Sequence, residues 1–347
     1  MTQRWKQRPP GSNWGDFGPD DQRGRMNWVT REKVLQGVAE VKAGLSFSLS
    51  LPLDYPGGNA LNPRRNPPRQ FATLRAGKQN FCYPLANENP LHTDVVCDDV
   101  VLLTLQYSTQ WDSFAHIGSR FDADGDGQAE IVFYNGFRAG EHVKPAAENP
   151  QAEPWARFEG ARADALGIEN LAEHGAQGRG VMVDLHAHFA RERRAVSYDD
   201  LMRVLDADRV VVEQGDMVCL YTGFADVMLE LRKNPDPKLL HHTCSGLDGR
   251  DAKLLQWITD SGLAALIADN YAVELIPQSP FKPMQHAAMP LHEHCIFKNG
   301  IHLGEIWYLT ALARWLRAHG RSRFLLTAPP LRLPGAVGSP ATPVATV

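Results

Sequence analysis

Residues Val100–Gly118 read VVLLTLQYSTQWDSFAHIG, an apolar run that empties into a cluster of polar side chains. If the run continues as a strand, its period of two places Gln106, Ser108, Gln110 and Asp112 on one face. Amide and carboxylate groups are costly to bury without partners, and a site that binds an ion, a water or a substrate would supply them. The stretch therefore predicts a strand that also forms one wall of a binding site.

A second polar signal lies far downstream, in PLHEHCIFKNGIHLGEIWYLTALARWLRAHG. From Gly304 on, Glu305, Leu309, Leu312 and Leu316 follow helical spacing, which predicts Glu305 on the apolar face of a first helical turn. A carboxylate facing a core needs a proton, a cation or a hydrogen bond. Between the two signals, elements alternate. A helix ends at Gly175 and a buried strand follows over 180–185; a capped helix after Ser197 leads to a strand over 216–222, and an amphipathic helix covers 254–266. Upstream, Thr30 can cap a helix that Gly44 ends, and 45–53 alternates as a half-buried strand does. Residues 55–92 form a Pro-, Asn- and Gly-rich excursion suited to a lid, a binding loop or an oligomer contact. FDADGDGQAE matches the first positions of a calcium loop, yet Phe133 stands where a bidentate Glu belongs, so the reading is an acidic turn joining two strands.

At 347 residues with 43% hydrophobic content, the chain is long enough for a substantial core. The net charge of −4 and pI near 6.4 give no footprint for nucleic acid, so a small-molecule substrate is the expected partner. No stretch is apolar enough to cross a membrane, and the opening MTQRWKQRPPGSNWGD has no signal-peptide core; the expected location is the cytoplasm. Five scattered cysteines without a C-x-x-C pair predict free thiols.

Gln106–His116 falls position for position on H-x-G-T-H-x-D-x-P-x-H, the mark of the cyclase family, which includes bacterial kynurenine formamidases and isatin hydrolases. Thr109, Asp112 and His116 match it. Gln106 and Gln110 replace two metal-binding histidines, and Ser108 and Phe114 replace Gly and Pro, so the chain resembles a separate TQWD branch. The likeness extends from the W-G opening to the closing G-S-P, and includes D-N-x-A-x-E after residue 268 and an H-x(12)-E spacing at His292 and Glu305. It implies one α/β domain of the swivelling β/β/α barrel type, with residues 1–44 as an ordered arm and first helix and 45–347 as the body. A homodimer or homotetramer is expected, and order as far as about residue 344.

The resemblance also implies hydrolysis of a carbon-nitrogen amide bond, in a cyclic amide or an N-formyl aromatic amine, through metal-activated water. Asp112 would be a metal ligand, His116 a general acid/base, and His292 with Glu305 ligands or a proton relay; Gln106 and Gln110 would line the site as weak ligands or substrate donors. Amide oxygens are poor zinc donors and suit manganese or magnesium better, so manganese, zinc or magnesium is the expected cofactor and a metal-free site the alternative. Trp14, Trp111, Phe114 and Tyr134 are candidate walls for a flat substrate. Competing readings are a metal-free cyclase or lyase and a binding protein that has lost the metal histidines. A third is an amidohydrolase built on His186 and His188 of DLHAH. The about 160 residues that follow this last pair are too few for a barrel of ~250.

Overall fold

The computed structural model describes residues 3–276 and 286–347. Nine segments pair into one mixed sheet: β1 (Ser46–Ser48), β2 (Gln110–Asp112), β3 (Gln177–Asp184), β4 (Met217–Tyr221), β5 (Ala265–Ala268), β6 (His302–Glu305), β7 (Arg323–Thr327), β8 (Gly338–Pro340) and β9 (Val344–Thr346). Their spatial order is β1-β9-β7-β3-β4-β5-β6-β2-β8. The inner strands β3 to β6 run parallel. Antiparallel pairs flank them on both sides.

Strands covered on both faces read as nearly unbroken apolar runs, and β3, β4 and β5 do so. Alternation divides their side chains between two cores. Val181, Val183, Val218, Leu220 and Leu266 pack on one face, and Met182, Met217, Cys219, Ala265 and Ile267 on the other. The C-terminal tail is ordered as expected, because β8 completes the sheet beside β2 and β9 joins β7 to β1.

Helix ends follow side-chain chemistry. Thr30 caps Arg31–Val38 by accepting from the Lys33 N–H, and Ser197 caps Tyr198–Ala207 in the same way. Gly175, at a φ of 86°, ends Glu169–His174. The first helix stops at Val38, short of Gly44, and the one predicted over 254–266 is Ala252–Asp260, because its last apolar residues belong to β5.

Two larger differences concern the segments that frame the site. The expected continuous strand through Val100–Asp112 is broken. Asp99–Leu102 pairs with Arg69–Ala72 in a separate ribbon, where Val100 and Val101 are exposed, and only Gln110–Asp112 enters the sheet. The intervening turn is held from elsewhere. Tyr107 donates to the Gly58 carbonyl, Ser108 to that of Pro52, and Thr109 to that of Ile306. Second, Glu305 ends a strand instead of opening a helix; the helix begins at Thr310. The helical spacing is genuine from Leu309 onward, but β6 is drawn into the sheet by pairing with both β5 and β2.

Candidate active site

Strand β2 lies between β6 and β8, and its register sets the site. Gln110 faces Glu305 across one ladder, and Asp112 faces Gly338 across the other. Gln110 and Asp112 share one face of the sheet while Trp111 points to the opposite one. A side chain at Gly338 would collide with the Gln106 amide, 2.4 Å from the position of its Cβ, so glycine there leaves room for Gln106 beside Asp112.

His292 arrives on the short helix Pro290–His292, which runs into a π-helical turn, Glu293–Lys298. The N-terminal arm braces that turn. Trp14 donates its indole N–H to the Phe297 carbonyl at 2.8 Å, and Asn13 donates to that of Asn299. Glu274 braces the helix from the other side. One of its oxygens accepts the His292 backbone N–H at 3.0 Å and lies 2.8 Å from His292 Nδ1, and the other accepts the Leu291 N–H. His292 Nε2 lies 3.1 Å from Glu305 Oε1, and Glu305 Oε2 accepts from the Gln110 amide at 3.0 Å. The Arg65 guanidinium stands 3.9 Å from Glu305.

Asp112 is fully buried, and neither of its carboxylate oxygens has a hydrogen-bond partner; the Gln110 Oε1 is likewise unpartnered. One ligand atom each from Asp112, His292 and Glu305 lie within 4.8 Å of one another. The half-buried His116 ring stands 3.9 Å from Asp112 Oδ1.

The electrostatics follow from these contacts. Burial raises the Asp112 carboxyl, only partly countered by His116. Burial, the largest single influence, would do the same to Glu305, but the hydrogen bond from His292 together with the charges of His292, Arg65 and His116 outweighs it and leaves this carboxyl below its ordinary range. Burial alone would lower His292, whereas its bonds to Glu274 and Glu305 prevail and raise it to about 10. A neutral imidazole has one N–H for two carboxylates, so His292 satisfies both only as a cation or by giving Nε2 to another cation.

A divalent ion fits this donor set. Three buried oxygens of Asp112 and Gln110 lack any donor, and Glu305 and His292 present an oxygen and a nitrogen to the same space. The oxygen-rich character suits a hard ion better than zinc.

The structure brings together Gln110, Asp112, His116, His292 and Glu305, and sets the Gln106 amide against Gly338, the residue paired with Asp112. It does not bring the four aromatic candidates to the site as walls. Trp111 packs edge-on against Trp307 on the far face of the sheet. Trp14, Phe114 and Tyr134 are fully buried in the other core, Phe114 stacked at 4.0 Å on His302. Strand alternation and the depth of that core explain the correction.

His186 and His188 point to separate partners, His186 against Tyr221 and His188 3.1 Å from Asp208. The acidic turn joins two antiparallel strands, and Asp122 uses its oxygens to accept the N–H groups of Gly125, Asp126 and Gly127.

Two contributors, Arg65 and His302, were missed at the level of sequence, and a third, Glu274, was marked only as the last residue of D-N-x-A-x-E, a lone carboxylate in the apolar VELI, with no role given to it. Arg65 comes from the 55–92 excursion and carried no signal. His302, next to Leu303 and Gly304 in β6, donates from Nδ1 to the Asp112 carbonyl at 2.8 Å, and burial lowers it to about 4, so it acts as a neutral donor.

Known proteins share this fold. The crystal structure of a novel cyclase is similar to the chain with a TM-score of 0.72 at 29% identity, over 98% of this chain and 100% of that one. Isatin hydrolase A from Labrenzia aggregata, bound to benzyl benzoate, is similar in fold with a TM-score of 0.55 at 12% identity, over 91% of this chain and 98% of that one. Isatin hydrolase A from Ralstonia solanacearum gives 0.53 at 13% identity, over 91% and 97%. No curated protein sequence matches the chain. The family model described as a putative cyclase matches residues 48–275, about two thirds of the chain, including strands β2 to β5 and the wall that carries Asp112; the chain belongs to this cyclase family.

Proposed function

We propose that this protein is a hydrolase that cleaves a carbon-nitrogen amide bond in a small molecule, a cyclic amide or an N-formyl aromatic amine. The observation that carries this reading is the buried Asp112 carboxylate, left without a hydrogen-bond donor in the same pocket of space as His292 and Glu305. Asp112, His292 and Glu305, with the Gln110 Oε1, would hold a divalent ion, with manganese or magnesium suited to the oxygen donors. When bound, such an ion polarises a carbonyl and makes hydroxide available near neutral pH.

The chain's own groups divide the remaining work. His116, partly open to solvent and beside Asp112, donates a proton to the leaving nitrogen. Glu274 fixes the His292 ring through Nδ1, and Arg65 balances the charge of Glu305. Gln110 keeps Glu305 oriented through its amide N–H and turns its oxygen toward the open space. A metal-free lyase or cyclase is the second reading, favoured by one observation: both ring nitrogens of His292 already face carboxylates, as they would in a stable imidazolium.

Elemental analysis of the purified protein decides between the two, followed by assays on N-formylkynurenine and isatin with and without chelator. A stoichiometric divalent ion that Asp112→Asn removes, together with chelator-sensitive turnover, supports the hydrolase. Turnover that survives chelation but not His116→Ala supports the metal-free enzyme.

A further inference from the structure

The five cysteines divide into two kinds. Cys219, Cys244 and Cys295 are buried, and burial pushes all three thiols up, Cys244 to about 12. Almost no thiolate forms at such positions near neutral pH. Cys82 and Cys97 are exposed, and their Sγ atoms lie 3.9 Å apart.

The ribbon that carries them accounts for that closeness. Tyr83 pairs with Val96 in an antiparallel ladder, and Cys82 and Cys97 are the next residue outward on each arm, where Cys82 turns at a φ of 52°. Their Sγ separation shows the two side chains turned toward each other, close enough for a disulfide of ~2.05 Å to form by side-chain rotation. The Cys82 backbone N–H donates to Cys97 Sγ at 3.0 Å, which fixes the position of that sulfur beside its partner. Beyond the pair, the Asp98 N–H donates to the Asn80 carbonyl, and the Asn80 side chain donates to Asp98 and Thr73, which ties the two arms together on the far side of the cysteines.

We propose that Cys82 and Cys97 are a redox-active dithiol, a modification site that closes to an intramolecular disulfide when the protein meets a hydroperoxide. The Cys97 thiolate attacks a peroxide oxygen, the O–O bond breaks, and the leaving alkoxide or hydroxide takes up a proton, which leaves Cys97 as a sulfenic acid. The Cys82 thiolate then attacks that sulfur and displaces hydroxide, which departs as water with the second thiol proton. Two thiols lose two electrons, and the peroxide gains two to give an alcohol (or water) and water. Cys97 beside it pushes the Cys82 thiol up, so the sulfurs do not ionise together, in keeping with this sequential order. A dithiol reductant reverses the step. The site is independent of the amide chemistry above.

The test uses the intact protein, hydrogen peroxide and a chromogenic thiol reagent. Two of the five thiols should react quickly in the native protein and neither after peroxide, with the monomer mass lower by about two hydrogen atoms. Both peptides from a glutamate-specific protease, which cuts at Glu88 between the two cysteines, should stay joined until dithiothreitol is added. Cys82→Ser and Cys97→Ser, at exposed positions, should each abolish the internal cross-link and leave the remaining thiol to accumulate oxygen. Separate oxygen additions on both cysteines of the wild type, a cross-link between two chains, or accessible thiols unchanged by peroxide would each overturn the proposal.

Discussion

Asp112, the last residue of β2, and Asp216, just before β4, are both fully buried carboxylates at ends of the same sheet's strands, and they are built in opposite ways. Asp216 accepts two bonds from Arg179, one from Lys33 at 3.1 Å and one from the Glu213 backbone N–H. Its cluster, closed outward by Glu213 and Arg323, ties the first helix to β3 and β4. Asp112 has no donor on either oxygen. A buried carboxylate with every lone pair satisfied belongs to the scaffold. One left bare is costly to keep, and under the function proposed above a bound ion would offset that cost.

Stability measurements give the largest expected contrast. Asp216→Asn leaves the buried Arg179 and Lys33 with only the partly exposed Glu213 as counter-charge and is expected to cost about 3 kcal/mol in denaturant unfolding. Asp112→Asn removes an uncompensated charge, and its unfolding free energy should stay level or rise. A drop as large as that of Asp216→Asn would place Asp112 in the scaffold and end the contrast.

Metal addition sharpens it next. Manganese at 100 times its dissociation constant should stabilise the wild type by about 2.7 kcal/mol, seen as a higher melting temperature. Asp216→Ala, if folded, keeps a metal response and Asp112→Asn loses it. Glu274→Gln gives a smaller effect, about 1–3 kcal/mol, because it weakens the bond to His292 Nδ1 while sparing much of the backbone capping. Its amide activity should fall further than its stability alone explains.

The smallest effect concerns acid. The Arg179 hydrogen bond holds the Glu213 carboxyl below its usual range. A depressed folded value means that this contribution is present above pH ~4.5 and is lost as pH falls through the folded value. Glu213 is partly exposed, so the amount is under about 1 kcal/mol, and Glu213→Gln should flatten the acid limb of the melting curve by no more than that.

Much of the candidate site was legible in order along the chain. The eleven-residue register from Gln106 to His116 and the thirteen-residue step from His292 to Glu305 name groups that do meet, at 3.1 Å for the second pair. Local chemistry also announced the Thr30 and Ser197 caps, the Gly175 stop and the acidic turn.

What the sequence by itself determined was therefore short-range: caps, turns, the apolar inner strands and which polar residues are out of place in apolar surroundings. Tertiary structure decided the rest, because pairing partners lie far away in the chain. The bond from Thr109 to Ile306 and the β6 ladder, not local pattern, interrupt the strand before Gln110 and turn Glu305 into a strand end. The sheet's two faces separate Trp111 from Gln110 and Asp112, although the three are consecutive. Arg65 reaches Glu305 across 240 positions, and no periodicity records such a contact, since a charge finds its partner through the packing of the whole molecule.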